Sequence, residues 1–205
     1  FLEQNGLALI VSRDVTTRDR IDRQQPFNLK VAGTAHQTLG AAGKVYDVAY
    51  LQIVQGDLLR GLGKQNNPLP PGRRVLARFL HDLNVDHPAP SDGSAPPGSV
   101  EIEDDGSIAA LVPARRALSW QLVDESGEPV VQERYWVTFQ PGEVRVCTSC
   151  HGTNQQDQAG NPAPTNAPKA LQKLLMLGDV SMPLWAVILM VAVTPAVCEW
   201  KRSIH

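Results

Sequence analysis

The cleanest alternation of apolar and polar positions runs from Val100 to Phe139, and it predicts strands. Val100 and Ile102 fall on one face and Glu101 and Glu103 on the other, up to a turn at Asp105-Gly106. Ile108 to Val112 returns. Leu118, Trp120 and Leu122 then alternate with Ser119 and Gln121 before a turn at Glu125-Ser126-Gly127. Val131, Glu133, Tyr135, Val137 and Phe139 share a face of a last strand. A period of two punctuated by short Gly/Asp turns marks half-buried antiparallel strands. The expected fold class is therefore mainly β, an antiparallel sandwich-like sheet.

Upstream, Val45 to Val54 is a largely apolar run, with Tyr46, Val48 and Tyr50 on one side and Ala49, Leu51 and Ile53 on the other. Such a run suits a strand covered on both faces. Pro68, Pro70, Pro71 and Gly72 break the chain before a further strand, Arg74 to Phe79. Asp86 to Gly98, with four prolines and two glycines, is an excursion from the sheet. Downstream, Thr153 to Asn166 is polar loop. Thr165 or Asn166 is placed to cap a short amphipathic helix with Pro168 in its first turn. Leu171, Leu174 and Leu175 line one face of that helix, and Lys169, Gln172 and Lys173 the other. It should pack over the sheet or over the edge of a bound group.

The chain ends differently. Met182 to Cys198 carries no charged side chain, and Trp185 and Trp200 bracket it before Lys201 and Arg202. As a helix it would rise about 25 Å against a hydrocarbon core of ~30 Å. Interfacial tryptophans and a following positive charge predict a C-terminal transmembrane helix across 182–200, with the extreme C-terminus in the cytoplasm. A buried element of a globular domain is the competing reading. Three parts result: an N-terminal segment of strand plus loops (1–43), a β-rich domain (44–178) and an anchor (179–205). Leu7 to Val11 is too short for a signal core. At 205 residues and a net charge of −2, with no basic stripe, nucleic acid is not an expected partner.

Chemistry concentrates in Cys147-Thr148-Ser149-Cys150-His151. At this spacing two thiols can add across the vinyl groups of one haem while the adjacent histidine ligates the iron. Cys147 and Cys150 are thus the attachment residues for one haem c, and His151 the proximal ligand. A zinc site wants about four N/S ligands, and the only other cysteine is Cys198 in the apolar run. A thioredoxin-type dithiol wants a buried strand leading straight into a helix, whereas here a turn at Gln140-Pro141-Gly142-Glu143 precedes the motif and a polar loop follows. A bare disulfide leaves His151 unexplained. For the position opposite His151 the candidates are His81 and His87, then Met182, then His36. Met176 is a further thioether, and the terminal His205 is discounted. Lone loop histidines are commonly just solvated, and methionines beside leucines commonly packing. Arg73-Arg74 and Arg115-Arg116 could neutralise propionates, although solvated surface is the commoner explanation, and Tyr135 or Trp136 could wall the haem, although one of the two must face the core anyway.

These residues also carry a resemblance. Glu103-Asp104-Asp105-Gly106-Ser107, Val112-Pro113-Ala114, Gln121 to Gly127, Phe139-Gln140-Pro141-Gly142-Glu143 and the Cys147 to Gly152 motif are together similar to the C-terminal haem-bearing region of proteins related to the hydrazine synthase alpha subunit, with Trp136 near that pattern's tryptophan. The resemblance spans about Val100 to Gly152. It implies a β-rich domain with one haem c on Cys147, Cys150 and His151. The enzyme of that family relies on several haems and this chain has a single CxxCH, so hydrazine formation is not implied.

The function expected is electron transfer by a membrane-anchored monohaem c-type cytochrome domain on the periplasmic or extracytoplasmic side. Its partners would be other redox subunits of a membrane complex and the bilayer itself. Haem c is attached outside the cytoplasm, which agrees with the charge after the span. Two other readings stay open: a haem enzyme whose open iron acts on a small nitrogen or oxygen species, and a haem that only pins an assembly subunit together.

Overall fold

The computed structural model describes residues 1–19, 46–61, 72–80, 95–96, 98–133, 135–149, 155–157 and 160–177. Within them the chain is mainly β, as the alternation predicts. Eight strands are β1 (Leu7–Ser12), β2 (Tyr50–Gly61), β3 (Gly72–Phe79), β4 (Ser99–Glu101), β5 (Ile108–Pro113), β6 (Ala117–Val123), β7 (Pro129–Gln132) and β8 (Val144–Cys147), and one helix follows, α1 (Lys169–Leu177). One sheet runs β5-β1-β8 and the other β3-β2-β6-β7, with β4 also paired to β2. Every pairing is antiparallel except β8 on β1. Among the described residues no helix is long and apolar enough to cross a membrane. The apolar run 182–198, Met182 and Cys198 included, lies outside them.

The layering follows from which strands lack a polar face. In β1 and β5 nearly every residue is buried. Ala8, Ile10, Ile108, Ala110 and Val112 face Leu51, Ile53, Leu118 and Leu122 of the other sheet. Their neighbours Leu9, Val11, Ala109 and Leu111 face Ala170 and Leu171 of α1. The architecture is sheet on sheet on helix, and the strands covered on both sides are β1 and β5. The run expected to be doubly covered, Val45 to Val54, becomes regular only at Tyr50. The residues before it make single bonds instead, Tyr46 N–H to Thr16 O (3.1 Å) and Ala49 N–H to Val123 O (2.8 Å).

The last predicted strand is interrupted. Glu133 N–H reaches Trp120 O (2.9 Å) and Val137 N–H reaches Leu118 O (2.7 Å), so four steps along this segment meet two along β6. The surplus is pushed out of the sheet, and a Glu133 carboxylate oxygen accepts the Tyr135 N–H (3.0 Å) to hold the excursion. Tyr135 and Trp136 therefore lie exposed, while Val137 and Phe139 return to the core.

Helix α1 is capped from a distance and not by Thr165 or Asn166. Pro168, immediately before the helix, accepts the Gln172 N–H (3.2 Å). The Lys169 N–H goes to Asp105 Oδ2 (3.1 Å) and the Ala170 N–H to Ser107 Oγ (3.0 Å), both in the turn before β5. Asn166 instead donates to Asp105 Oδ2 (2.8 Å) and to Arg13 O (3.1 Å). The other Asp105 oxygen accepts Ser107 N–H (3.0 Å) and its hydroxyl (2.5 Å). Lys169 on Asp104 and Lys173 on Glu101 and Glu103 add exposed ion pairs of small weight.

Burial alone would raise the Asp105 carboxyl's pKa. The Ser107 hydroxyl, the Asn166 amide and the Lys169 and Ser107 N–H groups outweigh it and hold the pKa below 3.8. Asp105→Ala should lower the unfolding free energy by about 1–3 kcal/mol, read from the urea midpoint at constant slope, because it orphans the first helix N–H, the Asn166 amide and the Ser107 donors of the turn. Because the folded-state pKa is depressed, the unfolded chain takes the proton first as pH falls. The carboxylate's contribution is full above about pH 5 and is lost as pH drops through the folded pKa. Urea midpoints collected across that acid range should show a shallower loss for Asp105→Asn than for the unaltered chain.

Candidate functional site

Strand β8 writes Val-Arg-Val-Cys, and a period of two splits it cleanly. Val144 and Val146 pack on the α1 side of the sheet. Arg145 and Cys147 face the other way, onto a cavity between the two sheets. Helix α1 thus covers the sheet face opposite Cys147. Cys147 is half-buried, and its Cα pairs with that of Ser12 at the end of β1.

The backbone around Cys147 is fixed from the β1 side. Arg13 N–H donates to Cys147 O (3.0 Å) and Asp14 N–H to Thr148 O (3.1 Å). Asp14 Oδ1 in turn accepts the Thr16 N–H (2.8 Å) and hydroxyl (2.6 Å). Gly106, at φ +79°, leaves room for that carboxylate, since a Cβ there would collide with it. The turn entering β8 is closed by Glu143, one of whose oxygens accepts the Gln140 N–H (2.8 Å). Its other oxygen holds the Arg145 guanidinium (2.5 and 3.1 Å), which lies over the Phe139 ring, 4.4 Å from its centroid.

The cavity has a volume of about 120 Å³ and walls that are mostly apolar, including Ile10, Ile53, Trp120, Val131, Val137 and Phe139. Ser12, Glu133, Arg145, Cys147 and Ser149 supply its polar fringe. A pocket enclosing a drug-sized ligand measures about 300–1,000 Å³, so a haem macrocycle cannot lie inside this one. The residues fit the group in a narrower sense: a thiol on an apolar wall, with a guanidinium on the same strand face, can meet one edge of a porphyrin.

Of the residues singled out from the sequence, Cys147 alone is both described and on this cavity. Cys150, His151, His81, His87, Met182 and His36 lie outside the described residues. Met176 sits on α1 and is 80% exposed. Tyr135 and Trp136 do not line the cavity, and the Trp136 ring instead covers Gly56 of β2, where a Cβ would approach it to 3.1 Å. The aromatic wall is Trp120 and Phe139. Arg115 and Arg116 are exposed in the β5–β6 turn, with Arg115 at φ 58°. Arg145, Glu133 and Ser12 were not anticipated. Arg145 was within reach, because it shares the parity of Cys147. Ser12 was not, because its place depends on a parallel pairing between strands far apart in sequence.

The fold and site define a two-sheet β protein that carries its cysteine motif at the end of a sheet-edge strand. A family model described as the hydrazine synthase alpha subunit middle domain matches residues 89–152, so that stretch is similar to that family. The match falls on the middle domain of that subunit and not on the C-terminal region the sequence suggested. Among solved structures, Kuenenia stuttgartiensis hydrazine synthase is similar at 15% identity and a TM-score of 0.45, over 82% of this chain and 20% of that one. This chain therefore spans about a fifth of that protein's length. No curated protein sequence matches it.

Phe139 is fully buried at the junction of core, cavity and Arg145. Phe139→Ala should cost about 3–5 kcal/mol of stability, while Trp136→Ala, at an exposed ring, should cost less. Denaturant unfolding of the two variants side by side checks the ordering.

Proposed function

We propose that this chain is a monohaem c-type cytochrome domain that passes electrons as a subunit of a larger redox complex. Cys147 and Cys150 would form the thioethers and His151 would be the proximal ligand. The observation that carries the reading is Cys147: the first cysteine of a CxxCH run stands half-buried on an apolar wall. Attachment is redox-neutral, each S–H adding across a vinyl C=C to make one C–S and one C–H bond. Bound haem would supply one-electron cycling between ferrous and ferric iron.

The chain's own contribution is position and environment. Arg13 and Asp14 fix the backbone of Cys147 and Thr148, so the first sulfur presents at a constant place. Val137, Phe139 and Trp120 keep water from that side of it. Arg145, paired with Glu143, lies on the same strand face and borders the cavity. The proposal extends to an extracytoplasmic, periplasm-facing location, with the run 182–198 as anchor in the bilayer and other redox subunits as electron partners. Relation to a family named for hydrazine synthase favours a second reading, an open iron that binds a small nitrogen or oxygen species.

Full-length chain produced with a c-type maturation system should show Soret and α bands on reduction, and its haem should survive acid–acetone extraction. Cys147→Ala with Cys150→Ala should release it. Absence of haem, or stoichiometric zinc, overturns the proposal. Ferrous protein whose spectrum ignores carbon monoxide supports electron transfer, and immediate binding supports the open-iron reading.

A further inference from the structure

Ser12 closes β1 beside Cys147 and lines the inter-sheet cavity, and it is 5% exposed. Its hydroxyl has no hydrogen-bond partner among the described residues. Buried polar side-chain atoms are satisfied in the large majority of cases, so one left open on a cavity wall indicates something that completes it. The charged groups on the same wall are occupied. Glu133 accepts the Tyr135 N–H at 3.0 Å, and Arg145 holds Glu143 at 2.5 Å.

Size and polarity narrow what the missing partner can be. At about 120 Å³ the space is far larger than a water, whose share of liquid volume is about 30 Å³. It approaches the ~150 Å³ of an apolar cavity that stays dry and takes up benzene. Buried waters each need two to four polar partners; the fringe of Ser12, Glu133, Arg145, Cys147 and Ser149 can hold one, but Ile10, Ile53, Val131 and Val137 leave the rest of the space without any. An anionic ligand would lose its hydration without gaining a free counter-ion, since Arg145 is already paired with Glu143.

We infer that this cavity is a binding site for a small neutral molecule of about phenol's size, an apolar body with one hydrogen-bonding group that Ser12 Oγ engages. The inference rests on the cavity and Ser12 alone and stands or falls separately from the haem reading. The molecule's body contacts Trp120, Val131 and Val137, and its polar group points toward the β1–β8 pairing. Ser12 gives the site its selectivity, because the apolar wall treats benzene and phenol alike and the other polar side chains, Glu133, Arg145, Cys147 and Ser149, are engaged with other groups.

The experiment is titration of the full-length chain with phenol and, separately, benzene, followed by methyl NMR shifts and thermal midpoints. Saturable phenol binding is expected, with shifts centred on Ile10, Val131 and Val137. Ser12→Ala should weaken phenol about tenfold, the worth of one hydrogen bond, and leave benzene unchanged. Ser12→Thr, which keeps the hydroxyl, should restore the preference. Ser12→Ala removes only an unpartnered group, so the variant should fold. No saturable binding of either probe, equal effects of Ser12→Ala on both, or shifts centred away from the cavity each overturn the inference.

Discussion

One carboxylate ties together three parts of the chain that are far apart in sequence. Asp105 shapes its own turn through Ser107, receives the first N–H of α1, and takes the Asn166 amide that also bonds Arg13. Each contact uses a donor that would otherwise be left without a partner at a buried or half-buried junction, where an unmade hydrogen bond costs more than a made one gains. The low pKa follows from the same geometry: four donors converge on two oxygens. Because Arg13 in turn holds the Cys147 carbonyl, the helix, the β4–β5 turn and the cysteine strand share one support.

That support explains why a parallel strand is tolerated in a sheet otherwise antiparallel. β8 meets β1 over four residues and, among the described residues, has no second strand beyond it. A short parallel edge is a weak pairing. It is reinforced at one end by the Glu143 turn and at the other by Arg13 and Asp14. Its alternating side chains finish the work, the valines packing under α1 and the Arg145–Cys147 face closing the inter-sheet cavity.

Much of this was legible from the residues. The alternation of Leu118, Trp120 and Leu122 with Ser119 and Gln121 marks the faces of β6, whereas β5 is covered on both sides, and the leucines of α1 mark its packing side. Two kinds of information were missing. Local pattern says nothing about a cap delivered from another element, so Asn166 looked like the residue to cap α1 when its amide was needed elsewhere. Unbroken alternation likewise cannot reveal a bulge. Val131 to Phe139 keeps its parity through the excursion at Tyr135 and Trp136, because the surplus there is even and the register recovers. The partner of Cys147 across the sheet, Ser12, was hidden for the plainest reason: nothing near either residue encodes a contact between positions so far apart.

The residues that carried the family resemblance turn out to be physically connected. Asp105, Gly106 and Ser107 cap α1 and make room for Asp14. Asp14 and Arg13 bind the backbone at Cys147 and Thr148. Gln140 to Glu143 turns the chain into β8 and anchors Arg145 over Phe139. The Asp105–Ser107 and Gln140–Glu143 stretches reach the first cysteine within a few hydrogen bonds, although they lie more than thirty positions apart in sequence. The placing of these turn residues beside the CxxCH motif is thus accounted for without reference to any particular reaction. Such a scaffold fixes one sulfur against an apolar wall whatever chemistry is then done there.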